Sequence, residues 1–316
     1  MTSETRPQTP PKPRRTLLAT KGLVKSFGNF QVLRKLDLSV REGQVYGFLG
    51  RNGAGKTTTI QILMGIQRPD HGSIAYFGEQ RRAPRVSDKQ HIGYVSQEQF
   101  FYPWMSCRNL GQFVSRFYPN WDMAYFARLL DLFSLPSKRK VVNLSQGMRV
   151  KLALALALAH RPKILILDEP TAGLDPAARR EFLDIVNDQA ERDHRTTLFS
   201  SHIVEEVERI ADRVGILREG SLCFQGSPEQ LALEVRQIVL PDPLRPDAAQ
   251  RLKALRRDAG HAGFHVLHEN ARNGSLVMRA QPDQWQQWLQ GRSETQVKLS
   301  LEDIFLALTV DRGLRL

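Results

Sequence analysis

The chain has 316 residues, 41% of them hydrophobic, which is enough to build one large domain and a smaller one around buried cores. Its formal net charge of +12 suits nucleic acid, an anionic lipid surface or a phosphate compound as a partner, and charge alone does not choose among them. The longest apolar run, Leu152 to Ala159, is far shorter than the roughly 20 residues that cross a bilayer, which excludes a membrane-spanning helix.

The amino-terminal residues 1–15 contain four prolines and four basic residues, without an apolar segment of the kind found in secretory signals. This composition predicts a disordered tail on a cytoplasmic protein. The two cysteines, Cys107 and Cys223, show neither disulfide density nor the spacing of metal ligands. A reducing compartment is therefore expected, and neither cysteine is a catalytic candidate.

Between Leu17 and about Leu233, short β-rich runs alternate with helical stretches, which is typical of an α/β fold with a parallel sheet. The run KILILD is apolar on both faces, as expected of a strand that helices cover on both sides. We therefore predict an α/β domain over residues 16–239. The clearest strand candidates are QVYGFLG at 44–50, KILILD at 163–168 and TTLFSS at 196–201.

Two regions depart from this alternation. Residues of about 98–145 read as mostly helical, which indicates a helical insertion in the α/β domain. Beyond it, the proline-marked segment LPDPLRP precedes weaker strand and helix patterns, and we predict a small α+β accessory domain over residues 240–316. A basic cluster on a predicted helix there favours a solvated face over a nucleic-acid or lipid contact. The cluster consists of Arg251, Lys253, Arg256 and Arg257.

A glycine-rich loop, GRNGAGKTT, follows the first strand candidate and opens a predicted helix. It fits G-x-x-x-x-G-K-[ST], in which glycines let backbone N–H groups approach phosphates and the helix N-terminus adds partial positive charge. Lys56 would neutralise the β- and γ-phosphates, and Thr57 would place its hydroxyl on Mg²⁺. The loop therefore predicts nucleotide binding without selecting a class of NTPase. Its predicted binding residues are Gly50, Asn52, Gly53, Ala54, Gly55, Lys56, Thr57 and Thr58.

An acidic pair ends the buried strand candidate KILILD. Asp168 is the last residue of this run and Glu169 follows it, at the carboxyl end of a strand where open α/β sheets bind ligands. Asp168 is the expected Mg²⁺ partner, directly or through water. Glu169 is then positioned as the general base for an attacking water.

The segment Leu144–Met148, LSQGM, precedes a strongly helical pattern and lies between the phosphate loop and the acidic strand. Here the sequence resembles the ABC ATPase family, whose signature motif LSGGQ occupies this position. Ser145 and Gly147 match the serine and the second glycine of that motif, whereas Gln146 and Met148 depart from it. An N-cap serine with the exposed N–H groups of a first helical turn still makes an anion site.

Four further residues resemble functional positions of the family in the expected order. Phe27 matches the aromatic residue that stacks on adenine, and Gln97 matches the glutamine that contacts Mg²⁺ or the attacking water. Asp175, in AGLDP, matches the D-loop, and His202 matches the switch histidine that contacts the γ-phosphate. Their joint order and spacing favour these functional roles over structural ones.

The resemblance covers Leu17 to about Leu233 and implies a P-loop NTPase core of ABC type with ATP and Mg²⁺ as cofactors. In this family two ATP-binding subunits dimerise head to tail, so that the signature serine of one closes the ATP bound by the other. The complete motif set permits a homodimer. The resemblance also implies an integral membrane permease as partner and a location on the cytoplasmic face of the inner membrane.

Within the family, AGLDPAARREFLDIV and the carboxyl-terminal SLEDIFLALT, residues 300–309, resemble bacterial export subunits for drugs, antibiotics or polysaccharides. One alternative is an ABC ATPase that acts on nucleic acid or ribosomes, although such proteins usually fuse two ATPase cores and this sequence holds one motif set. Nucleic acid is therefore not expected as a partner. Another alternative is a regulatory ATPase whose accessory domain senses a ligand or partner.

An aromatic patch over residues 100–105, FYPWM preceded by a further phenylalanine, comes just after Gln97. Such a patch either lines a groove for a cytoplasmic helix of the permease or packs the insertion's own small core, and both interpretations stay open. Its members are Phe100, Phe101, Tyr102, Pro103, Trp104 and Met105.

Overall fold

The computed structural model describes residues 14–290, 292 and 294–310, so the first 13 residues of the predicted tail lie outside it. Fourteen strands and eleven α-helices follow one another in this part of the chain. In chain order they are β1 (Thr16–Phe27), β2 (Phe30–Arg41), β3 (Val45–Gly50), α1 (Lys56–Leu63), β4 (His71–Tyr76), β5 (Glu79–Arg81), α2 (Val86–Lys89), β6 (Ile92–Val95), α3 (Cys107–Val114), α4 (Met123–Leu132), α5 (Gln146–Leu158), β7 (Ile164–Asp168), α6 (Pro176–Asp193), β8 (Thr196–Ser201), α7 (Val204–Ile210), β9 (Arg213–Arg218), β10 (Ser221–Gly226), α8 (Pro228–Glu234), β11 (Val235–Val239), α9 (Ala248–His261), β12 (His265–Asn270), β13 (Ser275–Arg279), α10 (Pro282–Trp288), β14 (Thr295–Val297) and α11 (Leu301–Thr309).

A six-stranded sheet in the order β10-β9-β3-β8-β7-β6 forms the centre of the α/β domain. Its strands β9, β3, β8, β7 and β6 run parallel, and β10 pairs antiparallel with β9. Every residue of β3, β7 and β8 is buried, because helices cover both faces of the sheet. The predicted α/β fold with a parallel sheet is confirmed, and the carboxyl ends of β3, β7 and β8 meet at one edge.

A second sheet, in the order β2-β1-β4-β5, is antiparallel throughout and was not predicted. The hairpin of β1 and β2 closes at the pair Phe27 and Phe30, and Gly28 takes φ +56° in the turn. A tight two-residue turn with a left-handed glycine favours antiparallel pairing. Buried leucines on the inner face of this sheet join the core beneath α1, which positions the hairpin beside the phosphate loop.

The helical insertion consists of α3 and α4, with single 3₁₀ turns at Ser115–Phe117 and Val141–Asn143. It packs against α5 through buried apolar side chains such as Phe126 and Leu130. Gly111 makes the close approach of α3 possible, because a Cβ atom at this position would lie 2.1 Å from Cε1 of Phe126. The structure thus has helices where the sequence predicts the insertion.

The accessory region has the order β11-α9-β12-β13-α10-β14, and its antiparallel sheet has the strand order β12-β13-β11-β14. This βαββαβ topology is the ferredoxin-like arrangement. The structure shifts the boundary predicted between residues 239 and 240, because β11 is a central strand of this sheet. The proline-marked segment LPDPLRP is a loop inside the module, between β11 and α9, and composition alone cannot tell such a loop from a linker.

Helix α11 leaves the accessory sheet and returns to the α/β domain. Ser300 begins it as N-cap, with its Oγ accepting a hydrogen bond from the N–H of Asp303 at 3.1 Å. The buried side chains Ile304, Phe305 and Leu308 belong to the core cluster that also contains α7 and β9. The last described helix of the predicted accessory domain is therefore packed on the core of the α/β domain.

The basic cluster on α9 lies on the helix surface. Leu252, Leu255 and Ala259 face the core of the accessory module, while Lys253 and Arg257 are exposed to solvent. The cluster is therefore accessible to solvent, as both a solvated face and a nucleic-acid or lipid contact require. Among the described helices, none combines the length and apolar character that crossing a bilayer requires.

Candidate active site

The phosphate loop connects the end of β3 at Gly50 to the start of α1 at Lys56. Gly53 and Gly55 have φ angles of +80° and +108°, a left-handed region that a glycine adopts without strain. A Cβ atom on Gly55 would also lie 2.8 Å from a side-chain carbon of Leu33. The loop therefore needs glycine at these positions to fold tightly around an anion at the start of α1.

Lys56 is buried and is held by three acceptors. Its Nζ donates to the carbonyl oxygens of Gly50 at 2.7 Å and Arg51 at 3.2 Å, and it forms an ion pair with Oε1 of Glu169 at 2.9 Å. Phosphate oxygens form charge-assisted hydrogen bonds that are stronger than those to neutral carbonyls. A polyphosphate in the loop can therefore compete for this lysine.

Three oxygen-bearing side chains meet where the first turn of α1 faces the ends of β7 and β8. Thr57 Oγ1 donates to Oδ1 of Asp168 at 3.2 Å, and Ser200 Oγ donates to the same oxygen at 2.8 Å. Burial raises the pKa of Asp168, while the hydrogen bonds from Ser200 and Thr57 oppose that rise. A carboxylate and a hydroxyl at this spacing fit the hard oxygen ligands that Mg²⁺ prefers.

Glu169 has a left-handed backbone conformation with φ 43°, which costs on the order of 1 kcal/mol for a non-glycine residue. Its N–H donates to Ser200 Oγ at 3.0 Å, which fixes this turn at the end of β7. The carboxylate contacts Lys56 through Oε1, and its Oε2 lies 3.1 Å from Nδ1 of His202. Strand β8 ends just before His202, whose ring is half-exposed. The turn thus holds the carboxylate between the phosphate loop and the histidine.

Glu206, which the sequence analysis did not identify, ties the loops of the site together. Its carboxylate accepts from Thr171 Oγ1 at 2.6 Å and from Ser201 Oγ at 2.5 Å, and it pairs with Arg179 Nε at 3.3 Å. The side chain is 2% exposed. It connects Thr171, in the loop after Glu169, with Ser201 at the end of β8. Glu206 therefore helps to position both Glu169 and His202. The motif spacing carries no signal for it, because a glutamate on a helix usually faces solvent.

The signature residues lie on a different surface. Ser145 Oγ accepts from the N–H of Met148 at 3.3 Å and caps α5, as predicted for an N-cap. A Cβ atom on Gly147 would touch Ala178 of α6, and Asp175 caps that helix by accepting two N–H bonds at 3.0 Å. Within the described part of the chain, none of the contacts of Ser145, Gly147 or Asp175 reaches the phosphate loop.

Two other predicted residues are also outside the cluster. Gln97 is exposed just after β6, and among the described residues its side chain forms no hydrogen bond to Asp168 or Glu169. Phe27 ends β1 with an exposed ring, and the Nζ of Lys25 lies 5.2 Å from its centroid. The structure thus brings together Lys56, Thr57, Asp168, Glu169 and His202, and leaves Phe27, Gln97, Ser145, Gly147 and Asp175 on its surface.

The aromatic patch after Gln97 divides into two parts. Phe100 is 87% exposed and Trp104 is 64% exposed, and the ring of Tyr102 packs against that of Trp104 with centroids 5.2 Å apart. Phe101 and Met105 are partly buried against the core of the insertion. Phe101 and Met105 therefore pack against the core of the insertion, whereas Phe100, Tyr102 and Trp104 are open to solvent.

Comparison with known proteins gives a consistent assignment. Residues 33–172 match the family described as "ABC transporter". The chain is 36% identical over 209 residues to the bacitracin transport ATP-binding protein BcrA of Bacillus licheniformis, with 66% of this chain and 68% of that protein covered. It is 33% identical over 298 residues to the Nod factor export ATP-binding protein I of Burkholderia lata, with 90% of this chain and 94% of that protein covered.

A solved structure described as an ATP-binding subunit of an ABC transporter is similar to this chain with a TM-score of 0.62 and 27% identity. The match covers 68% of this chain and 92% of the solved one. It thus matches the expected extent of an ABC ATPase core. With the phosphate loop, the acidic pair and the histidine assembled at one edge of the sheet, the chain belongs to the ABC transporter family as an ATP-binding and ATP-hydrolysing subunit.

Proposed function

We propose that two copies of this chain dimerise head to tail around ATP and power export through a separate membrane permease, on the cytoplasmic face of the inner membrane. The observation that carries this proposal is the contact of Glu169 with both Lys56 and His202 beside the phosphate loop. The names of the relatives, which specify bacitracin transport and Nod factor export, support export as the direction.

Within this proposal, ATP binding changes the partner of Lys56. The β- and γ-phosphates draw its ammonium group away from Glu169, which leaves Oε1 available to accept a proton from the attacking water. His202 remains beside Oε2 and contacts the γ-phosphate. Phe27 provides the exposed ring on which adenine stacks. Lys56 and Glu169 are therefore coupled, because their ion pair must break before Glu169 can act as the general base.

Thr57, Asp168 and Gln97 are the residues that would hold Mg²⁺. When bound, this ion neutralises charge on the phosphates. Ser200 keeps Asp168 oriented through the 2.8 Å hydrogen bond, while Thr57 comes from the first turn of α1. Gln97 has to move toward Asp168 to join them, and its position on the loop between β6 and the helical insertion allows such a movement to reach the insertion.

The second copy supplies the missing side of the ATP site. Ser145 caps α5 and Gly147 lies in its first turn, where exposed N–H groups attract an anion, and a Cβ atom on Gly147 would contact Ala178 of α6 in the same chain. Across a head-to-tail interface they close on the γ-phosphate bound by the other copy. ATP then links the two chains, and its hydrolysis removes that link.

The exposed members of the aromatic patch are the proposed contact with the permease. Phe100, Tyr102 and Trp104 form an apolar surface on the insertion, directly after the loop that carries Gln97. A cytoplasmic helix of the permease packed there receives the movement of this loop.

The Glu169→Gln variant tests the proposal. Removal of the base while binding is retained is expected to trap an ATP-linked dimer, which size-exclusion chromatography with light scattering measures with and without ATP. The double variant Lys56→Ala with Glu169→Gln is the matched control and should remain monomeric. Wild-type turnover by Glu169→Gln would exclude Glu169 as the base, and a monomer with bound ATP would exclude the ATP-linked pair.

A further inference from the structure

A cleft of about 580 Å³ lies beside the phosphate loop. One wall is formed by Asn52 and Gly53 of the loop together with His202. Phe305 and Thr309 of α11 form another part of the lining. The carboxyl-terminal helix is therefore a direct neighbour of residues that face the ATP site, although it follows the accessory sheet in the chain.

Packing and a hydrogen bond hold helix α11 against the α/β domain. Its buried side chains pack on α7, the helix that begins just after His202, and on β9. The guanidinium of Arg218 donates to the carbonyl oxygen of Leu308 at 3.2 Å, which attaches the end of the helix to the end of β9. The helix thus keeps a defined position relative to His202.

Exposed apolar side chains lie in the cleft lining and on helix α11, which contributes to that lining. Phe30, on the hairpin side, is 66% exposed. Leu306 on α11 is 46% exposed, and it shares a helix face with Thr309 because residues three apart on a helix are neighbours. Exposed apolar side chains around a cleft beside a functional site mark a surface that another molecule covers.

We propose that this cleft and the exposed face of α11 form part of the interface with a second copy of the chain. This inference rests on the proposed head-to-tail dimer. That dimer covers the face carrying Asn52, Gly53 and His202, and these three residues also line the cleft. In a two-fold dimer each copy presents the same surface, so both α11 helices become interface elements.

The interface then depends on the accessory module. Strand β14 is followed directly by α11, and Val277 of the accessory sheet is part of the same core cluster as Phe305. A shift of the sheet moves the helix and changes the rim that meets the second copy. The ferredoxin-like module therefore influences how tightly ATP joins the two chains, without any residue of its sheet entering the ATP site.

The test uses the full-length Glu169→Gln protein, with Leu306→Arg or Leu306→Glu added in turn. Leu233→Arg is the matched control, because Leu233 on α8 is 53% exposed and does not line the cleft. Sedimentation velocity over a concentration series with ATP gives the dimer dissociation constant. Binding of a fluorescent ATP analogue and the thermal unfolding curve show that each monomer is folded and binds nucleotide.

Both Leu306 variants are expected to raise the dimer dissociation constant about tenfold or more, since each dimer loses two buried leucines and gains two desolvated charges. The control should match the Glu169→Gln protein. Dimerisation of the Leu306 variants with an unchanged constant would overturn this inference and leave the proposed function standing. Failure of the Glu169→Gln protein itself to dimerise with ATP would overturn both.

Discussion

Replacement of Glu206 by alanine is predicted to be the most damaging change near the site that touches neither ATP nor Mg²⁺. The carboxylate is 2% exposed and satisfies Thr171, Ser201 and Arg179 at the same time. Its removal leaves the buried hydroxyl of Thr171 without its acceptor and Arg179, which is 29% exposed, without its counter-ion, while Ser201 Oγ keeps the carbonyl oxygen of Ile203 at 3.3 Å. An unsatisfied buried polar group costs about 1–3 kcal/mol and a partly exposed ion pair less, so the expected loss is still a sizeable fraction of a domain's stability.

The measurement is the free energy of unfolding from urea denaturation, followed by ATP turnover of the fraction that is folded. Glu205→Ala is the matched control, because Glu205 is the preceding residue of the same helix and is exposed. This control should change stability by less than about 0.5 kcal/mol. Turnover of Glu206→Ala should fall as well, since Thr171 and Ser201 flank Glu169 and His202. If both variants unfold at the same urea concentration, the structural role assigned to Glu206 is wrong.

Three further predictions address stability and partner binding. Burial lowers the pKa of His160 from 6.5 to about 4. The free energy of unfolding should therefore fall by roughly 3 kcal/mol as the pH falls from 6.5 to 4, because the unfolded state binds a proton more readily. The His160→Gln variant should show a smaller fall in urea titrations over this pH range. Gly111→Ala should lower the stability of the folded protein by about 1–3 kcal/mol, because it forces a Cβ atom into the ring of Phe126. Gly260→Ala is the control and should not destabilise the protein, since no described atom lies within 4 Å of the added Cβ. Equal thermal unfolding midpoints of the two variants would contradict this prediction. Trp104→Ala should weaken co-purification with the membrane permease while ATP binding is retained, and unchanged association would remove Trp104 from that interface.

The residues of the phosphate loop and the buried strands could be predicted because their chemistry is local. A loop that binds phosphate needs glycine at Gly53 and Gly55, and a strand covered on both faces must be apolar throughout, as KILILD is. The N-cap of α5 is Ser145, the residue directly before the helix, so the start of this helix can also be predicted from adjacent residues. Such features depend on a few neighbouring positions, so one sequence is sufficient to predict them.

The features that escaped prediction depend on contacts between distant segments. The antiparallel sheet requires β1 to pair with β4, and nothing near Leu18 in the sequence indicates its partner Tyr76. Strand β11 belongs to the accessory sheet because it pairs with β13 and β14, while the prolines after it resemble a linker. The role of Glu206 also depends on distant segments, since its three partners lie on separate elements. Local composition cannot specify these pairings.

The central claim is that each ATP site is built from two chains, and mixing two inactive variants tests it most directly. Lys56→Ala disables the phosphate loop. Ser145→Asp keeps a good N-cap for α5 but places a negative charge where the γ-phosphate of the other copy should bind. Each variant alone should hydrolyse ATP at a residual rate only.

In a head-to-tail pair of one variant with the other, both lesions fall in the same site and the second site is intact. Random pairing of equal amounts makes about half the dimers mixed, each with one working site, so turnover should recover to about a quarter of the wild-type rate. Recovery at that level is the result that the two-chain site predicts. A mixture that shows only the average of the two residual rates would contradict it.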